Sequence, residues 1–124
     1  MKILAPALLA LLAAPAALVP LSPALAQTAA DCEAQIASLR GAVTSLTISG
    51  KNADRDRESL LRTLEGASTE LAKGKNADAA KKLTDFKVKV AQLLEAGRIS
   101  SGDASSLTAQ ADGAIACVNG LSSS

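Results

Sequence analysis

Asp54, Asp56 and Glu58 alternate with Arg55 and Arg57, placing three carboxylates within five residues. A calcium loop would use carboxylates at such spacing, but it also needs a glycine turn and a distal bidentate Glu. Neither is in place, and the interleaved arginines neutralise the acids, so a charge cluster at a helix start is expected and no metal site. Lys73, Lys75, Lys81, Lys82, Lys87 and Lys89 form a second set, a possible basic strip for an anionic polymer. Asp78 and Asp85 break that strip, which favours a solvated face. The chain has no histidine, and so lacks the usual general base and the commonest metal ligand. No nucleophile and base can be assembled from its Ser, Lys and carboxylate residues by spacing alone. No catalytic residue, no cofactor and no enzymatic activity are expected. The chemistry that remains is that of Cys32 and Cys117, the only two cysteines. In an exported chain such a pair forms a disulfide.

Export is what the N-terminus predicts. Lys2 precedes an apolar stretch of Leu and Ala from Ile3 to Leu25, followed by the small-residue pattern Ala24-Leu25-Ala26. This is the layout of a secretory signal over residues 1–26, with cleavage between Ala26 and Gln27. A membrane span needs about 20 continuous apolar residues. Pro6, Pro15, Pro20 and Pro23 interrupt this one. No membrane span is expected in the mature protein, and a periplasmic or extracellular location follows.

Removing Lys2 from the thirteen basic residues leaves twelve against twelve acids. A nucleic-acid-binding surface normally carries a strong basic excess, so no nucleic-acid partner is expected. Abundant Ala, apolar residues that are mostly Leu, Ile and Val, and a single aromatic, Phe86, favour closely packed helices over a sheet.

Apolar spacing then predicts four helices over residues 27–121. The first runs from about Asp31 to Leu46 and carries Cys32, Ile36, Leu39, Val43 and Leu46 on one stripe. Asn52 caps the second, whose stripe is Leu60, Leu64, Ala67 and Leu71, with a Glu58–Arg62 pair outside and Gly74 beyond its end. Asn76 caps the third, which buries Ala79, Leu83, Phe86, Val90 and Leu93 and ion-pairs Lys81, Asp85 and Lys89 on its outer side. Ser100-x-x-Asp103 resembles a capping box for the fourth, with Leu107, Ala111, Ala114, Val118 and Leu121 inward and a frayed tail at 122–124. Gly41, Gly66 and Gly113 inside these helices suggest close approach of neighbouring backbones. Gly50-Lys51-Asn52-Ala53-Asp54 recurs as Gly74-Lys75-Asn76-Ala77-Asp78, which shared cap chemistry would explain.

Spacings of four and three are those of a left-handed bundle seam, and short loops force neighbours to run antiparallel. The expected fold is all-α, an antiparallel up-down four-helix bundle. In that arrangement the start of helix one and the end of helix four share one end, where Cys32 and Cys117 would meet.

The segment 59–118 resembles the FIMAH domain, a small helical module of bacterial secreted and cell-surface proteins. The residues that carry the likeness are Ser59-Leu60-Leu61-x-x-Leu64, Ala67, Leu71-Ala72-x-Gly74, Ala79-Ala80, Leu83-x-x-Phe86, Val90, Gly97-Arg98-Ile99-Ser100, Ala104, Leu107 and Ala111-Asp112. The resemblance implies a non-catalytic accessory unit, often of proteins that act on polysaccharide, and it carries over no catalytic or binding residue. The expected function is therefore an exported interaction module that binds a protein or a cell-envelope polymer. Polysaccharide binding and inhibition of an exported enzyme are the alternatives. The missing Tyr and Trp weigh against sugar, which favours aromatic platforms.

Overall fold

The computed structural model describes residues 28–122. The expected signal segment 1–26 and the Ala26–Gln27 junction lie outside the described residues. Four helices follow one another: α1 Ala29–Thr44, α2 Ala53–Ala72, α3 Asn76–Glu95 and α4 Ser101–Ser122. There is no strand among the described residues. Each helix packs on its two neighbours, and α1 closes the ring against α4.

α1 starts and stops two residues earlier than the apolar spacing suggests, because a reciprocal cap lies just upstream. Thr28 Oγ1 accepts the Asp31 amide at 3.2 Å, and Asp31 Oδ2 accepts the Thr28 amide at 3.0 Å. This satisfies two of the donors that a helix start leaves open. Leu46 is thus outside α1, yet it remains buried with Ile48 and the pair seals that end of the core.

α2 and α3 end alike. Gly74 and Gly97 adopt φ of 79° and 73°, a left-handed backbone that glycine takes without penalty. The amides of Lys75 and Arg98 return to Glu70 O and Leu93 O, each at 2.9 Å, while those of Gly74 and Gly97 return to Leu71 O and Leu94 O. Both are Schellman motifs. In the first, Lys75 also takes the N-cap position of α3, so Asn76 is a helical residue and not the expected cap. Asn52 does stand at the N-cap of α2 but makes no side-chain cap bond. The repeated pentapeptide therefore has two backbone forms. α2 runs directly into Gly74, whereas α1 ends at Thr44, well before Gly50.

The core takes every stripe residue expected of the first three helices, and Ala104, Leu107, Ala111, Ala114, Cys117 and Val118 of α4. Leu121 packs against it partly buried. Phe86, Ile36, Leu39, Leu64 and Leu83 are sealed from solvent, and no polar side chain is buried among the described residues. Alanines at 67, 79, 104, 111 and 114 make this a thin core of close helix contacts.

The helix-interior glycines do not carry those contacts. A Cβ at Gly41 would meet nothing within 4 Å, and one at Gly66 or Gly113 would touch only the side chain of Lys82 or Gln35, each at 3.5 Å. Gly41→Ala is accordingly expected to stabilise the bundle, by up to about 1 kcal/mol. Urea denaturation of the two proteins checks this.

Candidate functional site

At one end, Cys32 at the start of α1 and Cys117 near the end of α4 are joined by a disulfide with Cα atoms 5.6 Å apart. That separation lies within the usual range for a bridge. Both residues are part of the core, exposed by 0% and 2%. Up-down connectivity brings them together, as the bundle topology requires.

The opposite end is held by polar groups that apolar spacing does not reveal. The Ser49 amide donates to Arg98 O at 2.9 Å, and Arg98 Nε donates back to Ser49 O at 3.2 Å. The Arg98 guanidinium lies across Gly50, whose φ is 105°, and reaches Asp56 Oδ2 at 2.7 Å. The link between α1 and α2 is thereby tied to the link between α3 and α4. Arg57 completes this end, donating from Nε to Val43 O at 3.3 Å and from its second terminal nitrogen to Leu46 O. A side chain of α2 thus caps the last turn of α1, where carbonyls lack helical partners.

Asp56 Oδ2 is shut off from water, with Arg98 as its ion partner. Arg98→Ala leaves that oxygen unpartnered and should lower stability by about 1–3 kcal/mol. Arg98→Lys should recover only part of the loss, because an ammonium does not reproduce the guanidinium fork. Thermal melts of the two variants test the clasp; equal stability of Arg98→Ala and wild type would contradict it.

The three carboxylates of the charge cluster diverge. Asp54 pairs with Arg57 at 3.5 Å, Asp56 with Arg98, and Glu58 with Arg62 at 3.4 Å. Among the described residues no group of three acids or cysteines is placed to hold a metal.

The six lysines are not gathered into one strip. Lys87 turns to α4 and pairs with Asp112, Lys82 lies over Gly66 of α2, and Lys89 donates to Ser59 Oγ at 3.2 Å. Lys73 and Lys75 sit in the turn between α2 and α3. The expected Lys81–Asp85–Lys89 ion-paired face is also absent among the described residues: Lys81 and Asp85 are exposed, and neither makes an ion pair.

The Lys89–Ser59 contact is one that sequence reasoning missed, since the two residues are 30 positions apart on different helices. As chemistry it resembles a base beside a nucleophile. Ser59 lies inside α2, however, where backbone N–H groups are committed to helix bonds and none is left to stabilise an oxyanion. The pair forms the wall of a concavity of about 260 Å³ between α2, α3 and the following link, whose other polar members are Asp56, Gln92 and Arg98.

The family profile of the FIMAH domain matches residues 36–116. The chain belongs to the FIMAH domain family. The match extends the resemblance upstream from residue 59 into α1, so the FIMAH domain here draws on all four helices and not only the later ones. Cys32 and Cys117 both lie just outside the matched segment, and their bond closes the FIMAH domain from its two flanks. Gly97-Arg98-Ile99-Ser100 has four structural duties in this domain. Gly97 ends α3, Arg98 clasps the neighbouring link, and Ile99 is buried over the core. Ser100 Oγ then accepts the Asp103 amide at 3.1 Å at the start of α4. No curated relative and no solved structure matches the chain.

Proposed function

We propose that this FIMAH domain is a non-catalytic module exported from the cytoplasm, which works by binding a protein or cell-envelope partner on its outer surface. The observation that carries the reading is the filled, wholly apolar core tied at both ends, by the disulfide and by the Arg98 clasp. The centre of such a bundle is occupied by its own apolar side chains, so recognition falls to its outer faces. The disulfide fits an oxidising compartment, and no described helix is long and apolar enough to cross a membrane. Polysaccharide binding is the weaker reading, because the chain's one aromatic side chain, Phe86, is fully buried and offers no stacking platform. Inhibition of an exported enzyme is a special case of protein binding.

The test combines export with binding. Mass spectrometry of the exported protein should give a chain that begins at Gln27, and the labelled oxidised protein should bind saturably to the organism's envelope fraction. A cytoplasmic protein that retains residues 1–26, or an envelope fraction that takes up no saturable amount, contradicts the proposal.

A further inference from the structure

In the concavity beside the Arg98 clasp, polar side chains from three segments converge over an apolar floor. Asp56 and Ser59 stand one turn apart on α2, Lys89 and Gln92 one turn apart on α3, and Arg98 follows on the link. Leu60 and Leu93, exposed by only 1% and 9%, form the floor. The cations are held in place before any ligand arrives: Lys89 by Ser59 Oγ at 3.2 Å, Arg98 by Ser49 O and Asp56. Holding donors in position lowers the cost of ordering them on binding.

Charge and size narrow the ligand. Lys89 and Arg98 against Asp56 leave one positive charge, which a monoanion neutralises fully, whereas a dianion would keep a negative charge beside the Asp56 carboxylate. An ammonium has three donors and a guanidinium five, and the bonds above use only some of them. The volume, about 260 Å³, is below the roughly 300–1,000 Å³ of sites that enclose a drug-sized molecule. One residue of a longer ligand fits that scale. The floor is aliphatic, with no aromatic ring for a sugar to stack on.

We propose that this cleft binds a monovalent carboxylate on a short aliphatic body, as the C-terminal residue of a peptide presents it. Lys89, Arg98 and the Gln92 amide receive the carboxylate, and Leu93 and the exposed Ala96 receive the aliphatic part. The proposal rests on the reading of the domain as a binding module and names one ligand class for it. Its test does not use the envelope, so the cleft can fail while envelope binding stands.

The experiment is an NMR titration of the oxidised protein with N-acetyl-leucine, N-acetyl-leucinamide, glucuronate and inorganic phosphate. The expected result is saturable shifts at the backbone amides of Ser59, Lys89, Gln92 and Arg98 with N-acetyl-leucine, with a dissociation constant on the order of 1 mM. The amide, which lacks the charge, should leave them unmoved. Lys89→Gln keeps the Arg98 clasp and should weaken binding at least about tenfold. Gln92→Leu, at an exposed position, should weaken it by a smaller factor without altering the fold. Equal shifts with the leucinamide, tighter binding of glucuronate or phosphate, no saturable shift, or binding unchanged in folded Lys89→Gln would each overturn the proposal.

Discussion

Cys32→Ser combined with Cys117→Ser should lower the melting temperature by on the order of 20 °C relative to the oxidised protein. The bond spans 85 positions of sequence. In the chain-entropy account, opening so long a loop frees the unfolded state by about 4.5 kcal/mol, and each kcal/mol moves the melting point of a domain this size by roughly 4–8 °C. Small domains are stable by only about 5–15 kcal/mol in total, so the bond is a large share of the margin. The alanine-lined seam has little to offset its loss. Much of the helical signal should persist at low temperature, since the apolar stripes are unchanged. The native bond should also resist mild reductant, because both cysteines are sealed in the core. Scanning calorimetry of the oxidised protein and the double variant is the check, and coincident melts would refute the claim.

Phe86→Ala carries the second large effect, a loss of about 3–5 kcal/mol, with Leu83→Ala at roughly 2–5 kcal/mol. Phe86 heads the fully buried side chains by volume, and Leu83 lies one turn earlier on the same stripe of α3. Truncation at either place leaves a cavity in the core, which costs stability beyond the lost burial. Lys82→Ala, next to Leu83 in sequence, should change stability by less than about 0.5 kcal/mol. Lys82 is exposed. Denaturant titrations of the three variants measure the difference. Equal losses from Lys82 and Phe86 would mean that the buried face of α3 is wrongly placed.

The stripe Leu83, Phe86, Val90, Leu93 was legible in the sequence because a helix repeats every 3.6 residues and its buried face repeats with it. The same holds for α1 and α2, and the pairing of Cys32 with Cys117 follows once four such stripes are joined by short turns. Family membership was legible too, although its reach was underestimated: the profile begins at residue 36, where α1 has a stripe but no distinctive motif.

What remained hidden depends on contacts between residues distant in sequence or on the geometry of single turns. Arg98 meets Ser49 across 49 positions, and Lys89 meets Ser59 across 30. Neither pair lies on one helix, so no periodicity marks it. Asn52 and Asn76 show the second kind of limit, because the two stand in the same pentapeptide yet only Asn52 takes the cap position. The backbone before each glycine decides this, and the pentapeptide itself does not encode it. The outer faces were misread in a third way. The spacing of Lys81, Asp85 and Lys89 suggests an ion-paired solvated face, whereas Lys81 and Asp85 make no ion pair among the described residues, Lys89 turns to α2 and Lys87 to α4.

Peptide mapping of the protein isolated from its own organism under non-reducing conditions tests the closed bundle most directly. After thiol blocking and proteolysis, the fragment containing Cys32 should be found covalently joined to the fragment containing Cys117 within a single chain, with neither thiol blocked. Two blocked thiols, or a bond between two chains, would show that the start of α1 and the end of α4 are not neighbours, and the antiparallel bundle would fall with the bond.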